Sequence, residues 1–484
     1  MLLTFLLDGK VKILMVKGAP DVLLPVCFGA SLSTDPSSLR LKYWATAVEE
    51  RAALGMRTLA LSFAVVPPDF RLDATQQHQS LCALVAPSQG LHLLSLLGIM
   101  DPPRPEAILA VKQAHTAGIV VKMITGDHPT TALSISKMLG ICNSVNQENV
   151  LTGRELDGLA QQSLDALDAA VQNVNVFARV TPEHKLMIVQ SLRRQRIVCS
   201  MTGDGVNDAP ALKAADIGVA MGITGTEVAK NAANMIITDD NFSSIVDAIR
   251  IGRCTYDNLV KIITFILSVN GGQAFSIILA ISIGIDLPFT ALQILWINML
   301  VSVALGIELA FDEPESDILT RPPRPVSKPL FGELVAWRIF AATVAFVAAV
   351  LGMYIWESQR RSSVKYLQTC AVNVLVMSQA AYIFNCRHLK KNLPLREFLC
   401  GNRLVYVGVG VVILFQALYT YAEPFQYLFG SVGLDVTSWL KIVGFAIAVQ
   451  VGVELEKLLV TYFKARLLSS EFAEADGIDV VVAV

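Results

Sequence analysis

The amino-acid sequence predicts an α/β soluble half followed by an all-α membrane half with six helices. With 53% hydrophobic residues and a mean hydropathy of +0.53, the 484-residue chain is more apolar than an ordinary soluble protein. The apolar excess lies in the second half, where six stretches are each about long enough to cross a bilayer. In the first half, short apolar runs alternate with helix-forming segments, which is typical of a parallel sheet covered by helices on both faces.

The six apolar stretches determine the predicted topology in the lipid bilayer. They lie at residues 259–283, 289–310, 336–356, 367–384, 404–421 and 439–460. Six spans return the chain to the side from which it entered, and the soluble half leads directly into the first span, so we expect the soluble domains and both termini in the cytoplasm. Basic residues in the predicted cytoplasmic segments, among them Arg387 and Lys457, support this orientation, whereas Arg360, Arg361 and Lys365 oppose it.

Charge and cysteine content narrow the possible functions. A formal net charge of −2 gives no indication of a nucleic-acid partner, and none is expected. Eight cysteines without a CxxC pair or metal-ligand spacing predict reduced, mostly buried thiols. The apolar residues at the start of the chain alternate around Asp8-Gly9, which predicts a β-hairpin rather than a signal peptide.

The strongest indication of function is the run Met201–Asp216. It follows the apolar residues 197–201, which predict a buried parallel strand, and it precedes a helix-forming segment. Two glycines let the backbone turn, and Asp204, Asn207 and Asp208 place three oxygen-bearing side chains in that turn. Open α/β sheets bind ligands at the carboxyl edge of their strands, and Mg²⁺ prefers oxygen ligands.

This run resembles the hinge motif of the P-type ATPases, cation pumps that pass through an aspartyl-phosphate. The resemblance covers nearly the whole chain and implies ATP and Mg²⁺ as cofactors and a transported cation as a ligand. It implies part of an α/β nucleotide-binding domain at residues 1–97 and a haloacid-dehalogenase-like phosphorylation domain at 98–255. A six-helix transmembrane domain at 256–466 and a C-terminal tail at 467–484 would follow.

The resemblance assigns roles to the polar loops of the soluble half. Asp204 matches the Mg²⁺ ligand, and Lys185 matches the lysine that pairs with phosphoryl oxygens. The other matches are Thr125, Gly126 and Asp127 in the phosphate-neighbouring loop, Asn207 and Asp208 beside the metal and the phosphoryl group, Asp101 and Arg104 at the hinge between the soluble domains, and Lys17, Arg57 and Arg179 at the nucleotide. By their local sequence alone, Lys17, Arg57 and Lys185 are more typical of solvated surface positions, and only the combination of loops favours the functional interpretation.

The nucleophile that this chemistry requires has no match in the sequence. P-type ATPases carry it in an Asp-Lys-Thr-Gly-Thr loop after the first strand of the sheet, and this chain contains no such run. The family's four earlier membrane spans and its actuator domain also have no match here. We therefore expect the chain to correspond to about the C-terminal half of a pump, to need the N-terminal half as a partner, and to be inactive alone. A truncated gene model, a fragment of a longer protein and a split gene are each consistent with this correspondence.

Polar residues within the spans form the candidate site for the transported cation. Asn270, Gln273, Asn298, Ser302 and Gln379 offer amide and hydroxyl oxygens. In the calcium-pump branch of the family, the positions that match Gln273, Ser302 and Gln379 are carboxylates. A neutral site favours a monovalent cation over Ca²⁺, because the cost of removing an ion from water rises with the square of its charge. The earlier spans of the family could still supply a carboxylate, so the sequence leaves the identity of the ion open.

Three features of the membrane half complete the predictions. The pair Gly271-Gly272 either opens the backbone of the first span toward an ion or allows close helix packing. The acidic segment that begins at Asp312 is either a solvated turn or a strut between the membrane and phosphorylation domains. Glu308 is expected near the cytoplasmic mouth, because it lies about 15 Å along a helix from Asn298.

Three hypotheses for the function remain at this point. The first is the C-terminal half of a type II, calcium-pump-like cation ATPase. The second is a catalytically silent membrane protein that keeps the fold as a nucleotide-binding or regulatory module. The third, a membrane-anchored haloacid-dehalogenase-like phosphatase, is disfavoured because it also needs a nucleophilic aspartate.

Overall fold

The chain divides into two structural units. The computed structural model describes residues 2–7, 11–30, 38–66, 91–100, 102–142, 150–325, 329–360, 363–389, 402–468 and 480–483. The first unit comprises Met1–Asp247 with Leu319–Pro323 and Ile478–Val484, and the second comprises Ala248–Ile318 with Arg324–Gly477. The α/β soluble half and the six-helix membrane half predicted from the sequence are both present.

The first sheet of the soluble unit has five strands in the order β1-β2-β4-β5-β3. Its strands are β1 (Leu2–Leu7), β2 (Val11–Gly18), β3 (Cys27–Ala30), β4 (Met56–Val66) and β5 (Leu91–Met100), and it carries helices α1 (Pro20–Leu23) and α2 (Ser38–Ala53). β1 and β2 pair antiparallel as the alternating residues predict, while the turn at Asp8-Gly9 lies outside the described residues.

The end of β5 corrects one assignment made from the sequence. The predicted domain boundary places residues 98–100 in the phosphorylation domain, whose sheet is expected to be parallel. They instead pair antiparallel with β4, with Met100 opposite Met56 and Leu97 opposite Leu59. A short apolar run predicts a strand but does not specify which strand it pairs with, and this is why the sheet was misassigned.

The second sheet has seven strands in the order β11-β10-β9-β12-β6-β8-β7, and all its recorded pairs are parallel. The strands are β6 (Ile119–Ile124), β7 (Val150–Thr152), β8 (Val176–Ala178), β9 (Val198–Gly203), β10 (Ile217–Met221), β11 (Met235–Ile237) and β12 (Val480–Ala483). The helices are α3 (Pro105–Thr116), α4 (Pro129–Leu139), α5 (Gly153–Gln162), α6 (Leu164–Asn173), α7 (Pro182–Arg194), α8 (Ala209–Ala214) and α9 (Glu227–Ala232). Most boundaries agree with the predicted alternation, but β12 comes from residues expected to form only a tail.

Among its described residues, the membrane half contains six helices long and apolar enough to span a bilayer. The helices after the second sheet are α10 (Ser243–Ile283), α11 (Ala291–Ala304), α12 (Gly306–Ala310), α13 (Glu333–Ser358), α14 (Val364–Cys386), α15 (Leu404–Tyr421), α16 (Glu423–Phe429) and α17 (Val436–Leu468). The second span is divided between α11 and α12, which meet at Leu305. The chain is therefore an integral membrane protein whose six spans lie where the sequence predicts them.

The glycine pair in α10 supports helix packing. The helix runs without interruption through Gly271 and Gly272. A Cβ on Gly271 would lie 2.6 Å from Oγ1 of Thr343, and one on Gly272 would lie 2.8 Å from Cβ of Phe346. Both glycines therefore let α13 approach the backbone of α10 closely, and the alternative of an opened backbone is wrong for this structure.

Two basic residues counted as cytoplasmic flanks are buried instead. The Arg387 side chain is 3% exposed and lies beside Asp312. Lys457 is 1% exposed, and its Nζ donates to the carbonyl oxygen of Asn385 at 2.9 Å. Because both residues are paired within the protein, they carry less information about orientation than solvated loop residues do.

Candidate functional site

The polar loops of the second sheet meet at its carboxyl edge. β6 leads into Thr125-Gly126-Asp127, and β9 leads into Asp204. β12 lies between β6 and β9 and is parallel to both, so the two loops flank its carboxyl end. This edge is where parallel α/β sheets bind their ligands.

Asp208 organises the loop that follows β9. Its carboxylate accepts hydrogen bonds from the backbone N–H groups of Asp204 at 3.3 Å and Gly205 at 3.1 Å. A Cβ on Gly203 would lie 2.5 Å from Cβ of Asp208, so the close approach of this side chain requires glycine there. Asp208 is buried and forms part of a short 3₁₀ helix, Val206–Asp208.

Lys185 joins this loop from the first turn of α7. Its Nζ lies 2.7 Å from Oδ1 of Asp208, and the lysine side chain keeps 24% of its surface exposed. The ion pair places a cation beside the carboxyl edge of β9 while leaving part of it open to a ligand. The solvated, unpaired lysine that the local sequence also allowed is therefore wrong for this structure.

Asp204 and Asn207 lie on the exposed side of the same loop. The carbonyl oxygen of Asp204 accepts a hydrogen bond from the N–H of Thr226 at 2.8 Å, which holds the loop against the start of α9. Among the described residues, no three His, Cys, Asp or Glu side chains are grouped as metal ligands. Mg²⁺ is commonly held by one or two carboxylates with water and phosphate oxygens as its other ligands, so the exposed Asp204 carboxylate fits one such position.

The loop after β6 is held by its own hydrogen bonds and by the neighbouring strand. Oγ1 of Thr125 donates to Oδ2 of Asp127 at 3.1 Å and accepts from the Asp127 N–H at 3.1 Å. The N–H groups of Arg179 and Val180 donate to the carbonyl oxygens of Asp127 and Thr125 at 3.2 and 3.3 Å. Gly126 is exposed between them, at the tip of the loop.

Arg179 connects the two sheets of the soluble unit. Its φ of 51° lies in the left-handed region that side chains other than glycine seldom adopt. Its guanidinium donates to Oδ2 of Asp21 at 2.6 Å, and both side chains are about half exposed. Asp21 lies in α1, four positions after Lys17. Two of the predicted nucleotide contacts, Arg179 and Lys17, therefore come from neighbouring surfaces.

Lys17 and Arg57 belong to the first sheet, on the antiparallel strands β2 and β4. Lys17 is exposed near the end of β2 and pairs with Leu61 of β4. Arg57 lies in β4, four positions before Leu61, and pairs with Ile99 of β5. Its side chain lies outside what the structure describes. Lys17 is thus opposite the middle of β4 and Arg57 is near its start, so the two positions are about 13 Å apart along β4.

Of the two predicted hinge residues, only Arg104 is described, and Asp101 lies outside the described residues. Arg104 precedes α3, and its guanidinium donates to the carbonyl oxygen of Asp240 at 3.3 Å. Hydrogen bonds to the Asp240 carboxylate from the backbone of Ile223 and the backbone and side chain of Thr224 lower its pKa to about 2. Arg104 is therefore tied to an ordered turn after β11.

The candidate ion ligands are only partly brought together in the membrane unit. Nε2 of Gln273 donates to Oδ1 of Asn298 at 2.9 Å, which joins α10 to α11. Gln379 of α14 is fully buried, and neither its Oε1 nor its Nε2 has a hydrogen-bond partner among the described residues. Asn270 is exposed, and the side chain of Ser302 lies outside what the structure describes.

A buried ion-pair triad escaped the sequence analysis. Lys261 Nζ lies 2.7 Å from Oδ2 of Asp312, and Arg387 Nε lies 3.2 Å from its Oδ1. The three side chains are 3%, 4% and 3% exposed. The solvated-turn interpretation is therefore wrong for Asp312, although Glu313 beside it is exposed. A lysine within the first long apolar helix was the one signal that could have indicated such a pair.

Glu308 is the second polar feature that sequence reasoning left without a role. It is buried in α12, just after the interruption at Leu305, and its Oε2 has no hydrogen-bond partner among the described residues. A Cβ on Gly408 would lie within bonding distance of its other carboxylate oxygen, so only glycine leaves room for this side chain. An ionisable side chain buried at membrane depth is expensive and commonly functional.

Comparison with protein families agrees with this architecture. Residues 286–459 match the family described as the C-terminus of cation-transporting ATPases. Residues 38–216 and 186–249 match haloacid dehalogenase-like hydrolases. The first match covers the last five membrane spans, and the other two cover the loops that follow β6 and β9.

Individual relatives match nearly the whole chain. A protein of Mycobacterium tuberculosis named probable cation-transporting ATPase F is 39% identical over 93% of this chain and 49% of its own length. A calcium-transporting ATPase of Bacillus subtilis is 33% identical over 90% and 48%. A potassium-transporting ATPase alpha chain 2 of Oryctolagus cuniculus is 32% identical over 94% and 47%. The chain thus spans about half the length of these curated relatives.

Proposed function

Because this chain belongs to the P-type cation-transporting ATPases, we propose that it supplies the C-terminal part of an ATP-driven pump that works through an aspartyl-phosphate. The observation that carries the proposal is the carboxyl edge of the second sheet. There Lys185 of α7 pairs with Asp208, with Nζ and Oδ1 2.7 Å apart, and Asp208 lies in the same loop as the exposed Asp204. A cation and a metal-binding carboxylate are the groups that phosphoryl transfer needs beside the transferred phosphate.

Each group has a defined role in this proposal. Asp204 holds Mg²⁺, which would neutralise charge on the phosphate oxygens when bound. Lys185 stabilises the negative charge of the phosphoryl group, and Asp208 orients Lys185 through their ion pair. The loop Thr125-Gly126-Asp127 and Asn207 line the same edge, and Lys17, Arg57 and Arg179 contact the nucleotide. Asp101 and Arg104 form the hinge between the soluble domains.

The nucleophile comes from a second polypeptide segment in this proposal. No Asp-Lys-Thr-Gly-Thr run occurs in the chain, and neither a metal ligand nor a lysine can replace the attacked carboxylate. The rest of the pump, with its earlier spans and actuator domain, is therefore the expected partner. The soluble domains and both termini face the cytoplasm, in agreement with most of the basic residues between the spans.

The first prediction is that this polypeptide alone forms no acyl-phosphate. Purified chain incubated with γ-labelled ATP and Mg²⁺ and then quenched with acid should carry no label that hydroxylamine removes. The positive control is a two-chain pump, in which this chain is co-expressed with the half of the 39% identical relative that it does not match. Hydroxylamine-sensitive label on the isolated chain would overturn the assignment of the nucleophile to the other half.

The same experiment distinguishes the main rival function. A silent nucleotide-binding module would bind ATP but would not enable phosphorylation when the other half is present. Binding of a fluorescent ATP analogue by both the isolated chain and the two-chain pump, with label in neither, would favour that module over the pump.

We further propose that the transported cation is monovalent. Gln273 and Asn298 are hydrogen-bonded to each other, and the amide of Gln379 has no hydrogen-bond partner among the described residues, so these side chains offer neutral oxygens within the spans. Neutral ligands compensate poorly for the desolvation of a divalent ion. The relatives do not decide the ion, because one is named for calcium and another for potassium.

The second prediction concerns this selectivity. In the two-chain pump, Gln273→Glu combined with Ser302→Asp should increase Ca²⁺-dependent ATPase activity, because two carboxylates would offset the charge of the ion. The matched control is Gln368→Glu combined with Ser282→Asp, which makes the same two changes elsewhere in the membrane helices. Tight, saturable activation of the unmodified pump by Ca²⁺ would show that the neutral residues do not exclude calcium.

A further inference from the structure

The middle strand of the second sheet comes from the far end of the sequence. β12 (Val480–Ala483) pairs with β6 through Val480↔Ile119 to Ala483↔Lys122. It pairs with β9 through Val480↔Val198 to Ala483↔Met201. The strand is thus parallel to both neighbours over its whole length and closes the gap between them.

The carboxyl end of β12 lies beside the candidate site. Ala483 lies opposite Lys122 and Met201, and three residues further along those strands are Thr125 and Asp204. In a parallel register, a residue three positions after the one in the place of Ala483 would lie between these two loops. An aspartate there would be flanked by the predicted metal ligand on one side and the Thr125 loop on the other.

β12 itself brings no such group. Its sequence is Val-Val-Val-Ala, which offers no carboxylate, hydroxyl or amide side chain. Without β12, β6 and β9 would each present unpaired backbone N–H and C=O groups to the gap, and such groups readily take up another strand. The gap between them has the width of one strand, so two segments cannot occupy it together.

We propose that the position between β6 and β9 is an acceptor site for one apolar parallel strand, and that β12 is a removable occupant which blocks it. Its second occupant is the strand that leads into the nucleophile loop of the other half of the pump. The identity of that second occupant rests on the proposed function, whereas the acceptor site rests only on the sheet order and registers. While β12 is in place, the nucleophile cannot reach the loops at Thr125 and Asp204, so the incoming strand must displace β12 before phosphorylation, and the C-terminal segment slows this step as an autoinhibitory element.

The acceptor site is tested with the full chain in nanodiscs and a fluorescent peptide of residues 478–484. Val481→Pro should release β12, because proline has no N–H to donate and is not accommodated in a central strand. Val481→Ala keeps the N–H and is the matched control. The peptide should bind the proline variant at least about tenfold more tightly than the unmodified chain or the alanine variant. A peptide that itself carries Val481→Pro should bind none of them.

Hydrogen exchange shows where the peptide binds and whether a variant has misfolded. The proline variant should exchange faster in β6 and β9, and the added peptide should restore their protection, while the membrane helices remain unchanged. A chain that ends at residue 479 is the second variant and should behave in the same way. Equal peptide binding by all chains, or unchanged exchange in β6 and β9 on loss of β12, would overturn the acceptor site.

A second peptide separates this inference from the proposed function. It contains the strand and Asp-Lys-Thr-Gly-Thr loop from the unmatched half of the 39% identical relative. Binding to the proline variant, with competition against the 478–484 peptide, supports the exchange of strands. If only the 478–484 peptide binds, the acceptor site stands and the assignment of its second occupant is overturned, whereas the proposed function is decided separately by the acyl-phosphate label of the two-chain pump.

Discussion

Replacement of Asp204 by asparagine is expected to lower the rate of phosphorylation in the two-chain pump by about 100-fold or more, since it removes the charge of the predicted Mg²⁺ ligand. The backbone of the loop should persist, because the carbonyl of Asp204 and its N–H make the bonds to Thr226 and Asp208. Quenched-flow labelling with γ-labelled ATP at several Mg²⁺ concentrations measures the effect. Partial recovery at high Mg²⁺ would indicate weakened metal binding.

Two matched variants give this experiment its controls. Asp165→Asn makes the same chemical change at an exposed position of α6, away from the loops, and should leave the rate unchanged. Arg57→Ala should raise the ATP concentration needed for half-maximal labelling without lowering the maximal rate, as expected for a nucleotide contact. Near-normal labelling by the Asp204 variant would show that the metal ligand is assigned to the wrong residue.

Replacement of Asp312 by asparagine is expected to destabilise the membrane half by about 3 kcal/mol, the lower end of the cost of breaking a buried ion pair. The carboxylate is the shared partner of Lys261 and Arg387, and all three side chains are at least 96% buried. The variant would leave two buried cations without their counter-charge. The midpoint of thermal unfolding in detergent, followed by tryptophan fluorescence, should fall accordingly.

The neighbouring residue and a double variant test this explanation. Glu313→Gln alters the adjacent, exposed acid and should leave the unfolding midpoint within experimental error. Adding Lys261→Met to Asp312→Asn removes one uncompensated cation and should recover part of the lost stability. If Asp312→Asn and Glu313→Gln lower the midpoint equally, the buried triad does not stabilise the membrane half.

Local sequence patterns predicted most of the elements but few of their long-range contacts. The strands Ile119–Ile124 and Ile217–Met221 lie in apolar runs bounded by turn residues, which indicate a strand locally. Residues 97–100 and Val480–Ala483 are apolar runs of the same kind, yet their partner strands are distant in sequence. Nothing within such a run distinguishes one sheet from another.

The candidate site was predictable where its groups share one loop or one edge. Asp204, Asn207 and Asp208 could be located from the sequence because they lie in one loop after one strand. The six strand pairings of this sheet are all parallel, so the loops that carry site residues meet at a common edge. The ion pairs of Lys185 and Asp312 join residues on different elements, so their local sequences resembled those of solvated positions. The family resemblance supplied the role of Lys185, whereas Asp312 had no such guide.

The location of the labelled phosphate tests the central claim most directly. The two-chain pump is incubated with γ-labelled ATP and Mg²⁺, quenched with acid, and its polypeptides are separated by electrophoresis at acidic pH. We expect hydroxylamine-sensitive label on the partner half alone, and loss of that label when this chain carries Asp204→Asn. Label on this chain, or label on the partner half that is independent of Asp204, would contradict the claim that this chain supplies the metal- and charge-binding groups but not the phosphorylated aspartate.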